Sequence, residues 1–504
     1  MSAAGRMRLG VTVMPPFPHQ SMGTRHYPRN LPHGYRFDRP EVWQQLVRTA
    51  ERGGFDFVLL ADTGGVYREY GASIGDAVEH AAHVPVFDAT AMTGFLAAAT
   101  SHVGIVATRS IAGTAPYVAA RTLATLDHLS DGRIGWNVVT GHHRAAAENL
   151  GADDQTPHDL RYDMADEYVE LCRRLWNGWK AGAGSGDGGS ALDPRATPFV
   201  PREAVTEIDF EGRFYSSRGP LNVHPSPQRG PAIFQAGASP RGIRTGARWA
   251  DAVMSVQPYP AGMVRYRDAV KAEAAAQGRE PSEVAVLHVI QVFTGESDAI
   301  AAEKARIYDE GVDPVAGLVV LSGHLGFDLS TVPFDTPFAS LDVPGGQGLI
   351  DQYARVDEAR DITVGQVAER YGRDTSQPRF VGSGATVAAQ LAELFDHVGG
   401  DGFIVSPAWA PGNLEDFVDF VVPELAARGL VRTSYTPGAT LRDNLRDDTT
   451  GTRSTPATPA AATAHPATTA PAHPAAASPA HPATTPPAHP AHPTRPTARE
   501  NGHP

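Results

Sequence analysis

The sequence predicts an α/β protein whose core is a (β/α)8 barrel. Between residues 8 and 428, short apolar runs of strand length alternate with stretches of helical periodicity, the pattern of a parallel sheet with crossover helices. Eight such pairs fit a closed TIM barrel better than an open sheet. Several of the runs also end on polar residues, as strands do where they open on a ligand site.

Strands are expected near 8–14, 55–61, 103–109, 133–139, 232–236, 251–256, 284–293 and 402–406. Helices follow at about 40–53, 88–100, 116–129, 161–176, 240–249, 261–277, 297–310 and 414–428. The fourth strand is the most clearly written. Asp131-Gly132 turns the chain out of the preceding helix, Ile134 to Val139 is the apolar run, and Asn137 and Thr140 place an amide and a hydroxyl toward its end. In the next helix Ala165, Tyr168, Val169, Cys172 and Leu175 recur at helical spacing. Cys172, the single cysteine, is therefore expected to pack in the core, and no internal disulfide is possible. The fifth helix opens on Ser239-Pro240, an N-cap serine followed by a first-turn proline.

Two long insertions break the alternation. Residues 180–230 begin with a glycine-rich run expected to be mobile, and residues 311–400 carry Pro333, Pro337, Pro344 and the turn Gly345-Gly346-Gln347-Gly348. The second is expected to cover the barrel mouth as a lid. The barrel domain thus spans 1–446. From Arg446 onward the composition turns to Ala, Pro, Thr and His, with His-Pro repeating every eight residues at His465, His473, His481 and His489. Residues 447–504 are expected to be a disordered low-complexity tail, because they carry too little apolar surface to offset the entropy of ordering.

Composition excludes several classes. A hydrophobic content of 41% fills a sizeable core, and a net charge of −13 gives no footprint for nucleic acid or an anionic membrane. No apolar run is long enough for a signal peptide or a membrane span, so a cytoplasmic location is expected. No metal site is assigned. Gly184-x-Gly186-x-x-Gly189 fits a dinucleotide fingerprint but follows a helix rather than a strand. Gly71-x-Ser73-x-Gly75 fits a nucleophile elbow but lacks an apolar strand before it.

What remains is a set of polar residues at strand ends. Asp62 ends the second strand, Thr108 the third, Asn137 and Thr140 the fourth, and Ser239 follows the fifth. His158 and Tyr162, four apart and hence on one helical face, head the fourth helix. Together they would make a ligand pocket at the C-terminal rim, with the helix N-terminus at Ser239 suited to a phosphate.

The segment Gly132-Arg133-x-x-Trp136-Asn137-x-Val139-Thr140 resembles the mark of a known family, the bacterial-luciferase-like flavin monooxygenases. The branch it is most similar to contains nitrilotriacetate, dibenzothiophene-sulfone and long-chain alkane monooxygenases. Phe55 to Asp62, His158 to Asp163, Arg218 to Asn222, Gln235 to Ser239 and Leu414 to Phe417 resemble that branch in the same order, so the likeness covers roughly residues 8 to 446. It implies FMN binding at Asp62, Thr108, His158, Tyr162 and Ser239, with Asn137 beside them at the end of the fourth strand. It further implies a two-component enzyme. Reduced FMN would come from a separate NAD(P)H:FMN reductase, react with O2 to a C4a-peroxyflavin and oxygenate a small organic substrate within a homo-oligomer, a dimer or tetramer. His142, just past the fourth strand, and His324, in the lid, are candidates for proton transfer. Gly141 replaces the serine usual after Val-Val-Thr, and Pro15-Pro16-Phe17-Pro18-His19 is unusually rich in proline, which leaves the substrate open. Two alternatives stay open as well: a deazaflavin- or flavin-dependent dehydrogenase, and a flavin-binding protein without turnover.

Overall fold

Eight parallel strands close on themselves in the computed structural model. It describes residues 5–15, 38–141, 144–180, 192, 195–343, 346–354, 361–410 and 412–447, all within one unit that ends at Thr452. The low-complexity tail beyond 447, the glycine run 182–189 and His142 lie outside the described residues.

The strands are β1 (Arg8–Val13), β2 (Phe57–Leu60), β3 (Gly104–Ser110), β4 (Ile134–Val139), β5 (Ala232–Ala236), β6 (Ala252–Ser255), β7 (Ala285–Gly295), β8 (Arg379–Ser383) and β9 (Gly402–Val405). Strands β1 to β7 pair in order, and β9 joins β7 to β1. The closing register sets Arg8 against Gly402 and Val11 against Val405. β8 is the odd one. It pairs only with the second half of β7, Arg379 beside Gln291 through Ser383 beside Gly295, while the first half pairs with β9.

Helices α1 (Pro40–Arg52), α2 (Ala89–Ala97), α3 (Pro116–Leu129), α4 (His158–Trp176), α5 (Pro240–Trp249) and α6 (Pro260–Ala276) follow β1 to β6 in turn. After β7 come α7 (Asp298–Glu310), α8 (Pro314–Leu325), α9 (Gln347–Ala354), α10 (Val364–Asp374) and α11 (Gly384–Val398). The helix expected at 297–310 exists, but it packs on β8 and the far half of β7 rather than in the outer ring. The outer ring takes α11 at this place, lying between α6 and the helical segment Asn413–Ala427 that follows β9; a last helix spans Leu441–Arg446. The stretch 311–400 is therefore more than a lid, since its last part returns the chain to the barrel. Chain order misled here, because α7 follows β7 directly.

Two apolar layers hold the barrel. Phe57, Leu59, Val106, Phe234, Leu287 and Ile404 fill the interior, with the Phe57 and Phe234 rings edge to face at 4.8 Å. Gly10 is required by this filling. A Cβ there would stand 2.2 Å from the Phe57 ring. The even-numbered β7 residues Val286, Ile290 and Val292 face outward and join the layer under the helices, where Cys172 is fully buried as expected. The 132–140 motif divides between these layers. Buried Arg133 donates to the Ala97, Thr100, Val103 and Ser130 carbonyls, and Trp136 packs against Tyr168 and Trp176, so both residues are structural. A separate core of Tyr67, Leu318, Phe338, Tyr353, Val367 and Tyr371 binds α8 and α10 to the loop after β2.

At the closed end Asp56, fully buried, receives both terminal nitrogens of Arg6 at 2.9 and 3.0 Å, one of Arg432, and the Leu9 N–H at 2.9 Å. Burial raises its proton affinity, but the two guanidinium groups overcome this and hold the carboxyl below its ordinary value. Asp56→Ala leaves two buried arginines without their carboxylate and is expected to destabilise the fold by about 3–5 kcal/mol in denaturant titrations near neutral pH. Because the folded value is depressed, this stability is present above the unfolded value, about 4, and fades as pH falls through the folded one. The variant's deficit should therefore shrink in acid; a deficit independent of pH would contradict the assignment.

Candidate active site

Opposite the Asp56 end, the strand ends and the loops after them enclose a cleft of about 1090 Å³. His158, Tyr162, Ser239 and His324 all line it, with Thr140 from the end of β4. A recess of about 220 Å³ shares Gly237, His324 and Tyr371 with the cleft and continues to Met254, Val256 and Thr375.

The inner wall is built from the start of α4 and the start of α5. Ser239 caps α5 by accepting from Gly242 N–H at 3.1 Å, and Pro240 takes the first helical position, as the sequence predicts. The Ser239 hydroxyl is also 3.3 Å from His158 Nε2, while His158 Nδ1 is 2.7 Å from Asp159 Oδ1. The His158 and Tyr162 rings meet edge to face at 5.0 Å, confirming their common helical face. Burial pushes the Tyr162 phenol up, so it stays protonated at neutral pH, with Ser239 as its hydrogen-bond partner. Two glycines make room for that hydroxyl, because a Cβ on Gly237 or Gly242 would come within 3.0 or 2.8 Å of it.

Arg161 lines the same cleft and was not among the residues singled out from sequence. It gives one hydrogen bond to the Thr156 carbonyl at 3.2 Å, its Nε is buried without an acceptor, and it has no carboxylate partner among the described residues. The other two arginines of the cleft are paired with carboxylates: Arg68 and Arg144 both bind Glu148, and Arg144 also stands 3.9 Å from Asp154. A signal for Arg161 did exist. A cation in the first turn of a helix faces the positive end of the dipole, which is unfavourable unless an anion lies between them.

Asp62, Thr108 and Asn137 do not line this cleft. Thr108 and Asn137 are buried neighbours, joined by a hydrogen bond of 2.9 Å from Asn137 Nδ2, and Asn137 Oδ1 has no partner among the described residues. Asp62 accepts from the Ala89 N–H at the start of α2. Burial raises its carboxyl to about 6, with the charge of Asp88 adding to the shift and the Ala89 bond opposing it. His324 sits among rings, 6.0 Å from His83 and 5.7 Å from Tyr371, and Tyr67 hydroxyl is 3.1 Å from His83 Nδ1.

A closed parallel barrel with a polar cleft at the strand C-termini defines a TIM-barrel protein with its ligand cleft at the usual face. The luciferase-like monooxygenase sequence profile matches residues 7–402, and the chain belongs to that family. Dibenzothiophene-sulfone monooxygenase of Rhodococcus erythropolis is 38% identical over 414 residues, covering 80% of this chain and 89% of the relative. The crystal structure of a long-chain alkane monooxygenase superposes with TM-score 0.76 at 31% identity, covering 87% of this chain and 95% of that one. A riboflavin lyase solved with modified FMN and riboflavin superposes with TM-score 0.78 at 30% identity, covering 88% and 96%. Among the described residues, no helix is long and apolar enough to cross a membrane.

The Asp62 carboxyl offers a direct check on the rim. An acid whose folded value lies above its unfolded one binds more protons when folded, so it makes stability fall as pH rises from about 4 to about 6. Asp62→Asn should remove this fall and gain most, relative to the parent, above pH 6. Melting temperatures from pH 4 to pH 8 decide it, and parallel curves for the two proteins would sink the assignment.

Proposed function

We propose that this chain is the oxygenating component of a two-component flavin monooxygenase, taking reduced FMN from a separate NAD(P)H:FMN reductase. The observation that carries the proposal is the meeting, in one cleft, of the Ser239-capped N-terminus of α5 with the unneutralised guanidinium of Arg161. Backbone N–H groups at a helix start and a planar guanidinium are together the chemistry of a phosphate site. FMN carries that phosphate, and it fits the donors present.

Ser239, Arg161 and the α5 N–H groups would hold the phosphate, and His158 and Tyr162 would flank it. Bound there, reduced FMN supplies the electrons that activate O2 for transfer of one oxygen atom to a small organic substrate. The protein's part is to place and to shield. Thr108 and Asn137 present polar groups in the barrel interior beneath the rim, with Asn137 Oδ1 available as an acceptor, while Asp62 pins α2 at its edge. The core that packs α8 and α10 onto the loop after β2 stands beside the recess at His324, where it would limit the access of water. His324, and His142 from its place after β4, are the candidate proton donors and acceptors.

Ser239→Ala and Arg161→Gln should each weaken FMN binding about tenfold or more while leaving riboflavin binding nearly unchanged, because a charge-assisted bond to phosphate is what each removes. Fluorescence titration with both flavins tests this. Equal weakening of the two ligands would mean that these residues serve only to cap and pack the helices.

His324→Ala separates shielding from binding. It is expected to keep FMN affinity while sending more of the consumed O2 to hydrogen peroxide, measured as peroxide per flavin oxidised. An unchanged peroxide yield would remove His324 from the reacting face.

A further inference from the structure

A second cleft, of about 460 Å³, opens at the other end of the barrel, beside the N-terminal ends of β5 and β6. Six arginines line it: Arg173, Arg229, Arg248, Arg279, Arg442 and Arg446. Only two carboxylates face them, Asp251 and Glu283. On a chain of net charge −13, this is a local reversal of sign.

The two carboxylates are already engaged. Asp251 receives Arg442 Nε at 3.1 and 3.2 Å, Arg446 at 3.3 Å and the Ile233 N–H at 2.9 Å, while Glu283 is paired with Arg279 at 3.4 Å. Three guanidinium groups are left without a carboxylate at hydrogen-bond distance among the described residues. Arg229 donates to Asn177 Oδ1 and the Trp179 carbonyl. Arg248 stacks on the Trp249 ring at 4.5 Å, with Asp166 no closer than 3.8 Å. The Arg173 guanidinium stands over the same ring at 5.5 Å and donates no hydrogen bond to a described residue.

The surrounding arginines are fixed in place. Arg442 donates to the Gln228, Gly230 and Pro231 carbonyls, and Arg279 to those of Ala247 and Ala250, so neither can swing away to relieve repulsion. Arg173 bears the consequence. Burial weakens its hold on its proton; the charge of Asp251 opposes this, and the like charges of Arg442 and Arg279 add to it. Complementing helix dipoles explains part of the set, since Arg173 and Arg248 lie in the last turns of α4 and α5. Arg446 likewise ends the helix Leu441–Arg446, but dipoles do not explain Arg229 and Arg279, which come from connecting segments, or Arg442, in the first turn of that helix.

We infer that this cleft is a second ligand site, distinct from the flavin cleft, for a multiply charged phosphate group, either free or carried by a nucleotide. Arginine forks bind such oxyanions bidentately, and Arg173 and Arg248 both lie against the Trp249 ring, which brings the two guanidinium groups to one place in the cleft. A phosphate there would supply the negative charge that the protein withholds.

The test uses the full chain saturated with FMN, so that the phosphate-binding cleft at Ser239 is filled. Pyrophosphate, ADP and adenosine are titrated separately in chloride buffer, with tryptophan fluorescence and melting temperature as readouts. Pyrophosphate should produce a saturable change, and Arg173→Gln/Arg248→Gln should weaken it about tenfold or more at unaltered FMN affinity. ADP binding more tightly than pyrophosphate assigns a nucleotide, and equal affinity assigns the free anion. The inference is overturned if pyrophosphate gives no saturable response at millimolar concentration, if the response survives in the double variant, or if adenosine binds as well as ADP. Because FMN affinity is measured in the same samples, failure here is distinguishable from failure of the flavin reading.

Discussion

Asp56 is the point on which the barrel's closure turns. It lies just before β2, and its oxygens gather Arg6 from before β1, the Leu9 N–H from β1 itself and Arg432 from beyond the last strand. Arg6 and Arg432 go on to bind Asn444 in the final helix, whose Leu441 and Leu445 close the bottom of the barrel interior. A closed sheet has no free edge, so every strand must find its neighbour in one register. One buried carboxylate with two arginines specifies where the first and last parts of the chain meet.

That closure creates the rim. Parallel strands held in a ring send all their C-terminal ends to one face, so residues distant in sequence converge without any local signal joining them. Ser239 after β5 and Arg161 in α4 share a cleft for this reason, as do Thr140 and His324. The two faces of the molecule therefore have separate tasks. The Asp56 end secures the fold, and the opposite end is free to vary its loops, which is how one family accommodates relatives named for sulfones and for alkanes.

Much of this was legible in the sequence. All eight barrel strands stand where apolar runs and turns place them, because buried parallel strands are near-continuous hydrophobic segments. Ser239 was legible because an N-cap serine before a first-turn proline is a local pattern with a local cause. The seventh outer helix was not. Gly384–Val398 lies behind an insertion, and Asp298–Glu310, the helix that follows β7 in the chain, has the same amphipathic look. Arg161 was missed for a different reason. Its first-turn position was a sequence signal, but a weak one, and the buried Nε without an acceptor among the described residues, which gives that position its meaning, belongs to the tertiary structure. Asp62, Thr108 and Asn137 share a polar end-of-strand pattern with Ser239 but lie outside the cleft itself, since strand position fixes the rim and not the depth of each side chain.

The central claim, that the rim cleft holds reduced FMN for reaction with O2, is tested most directly by rapid mixing. Protein loaded with reduced FMN under anaerobic conditions is mixed with oxygenated buffer, and flavin absorbance and peroxide release are followed together. The account predicts that FMN reoxidises by a course different from that of free reduced FMN, with peroxide appearing later than O2 is consumed, and that Arg161→Gln shifts both toward the free-flavin course. Identical time courses with and without the protein, at concentrations where FMN is bound, would contradict it.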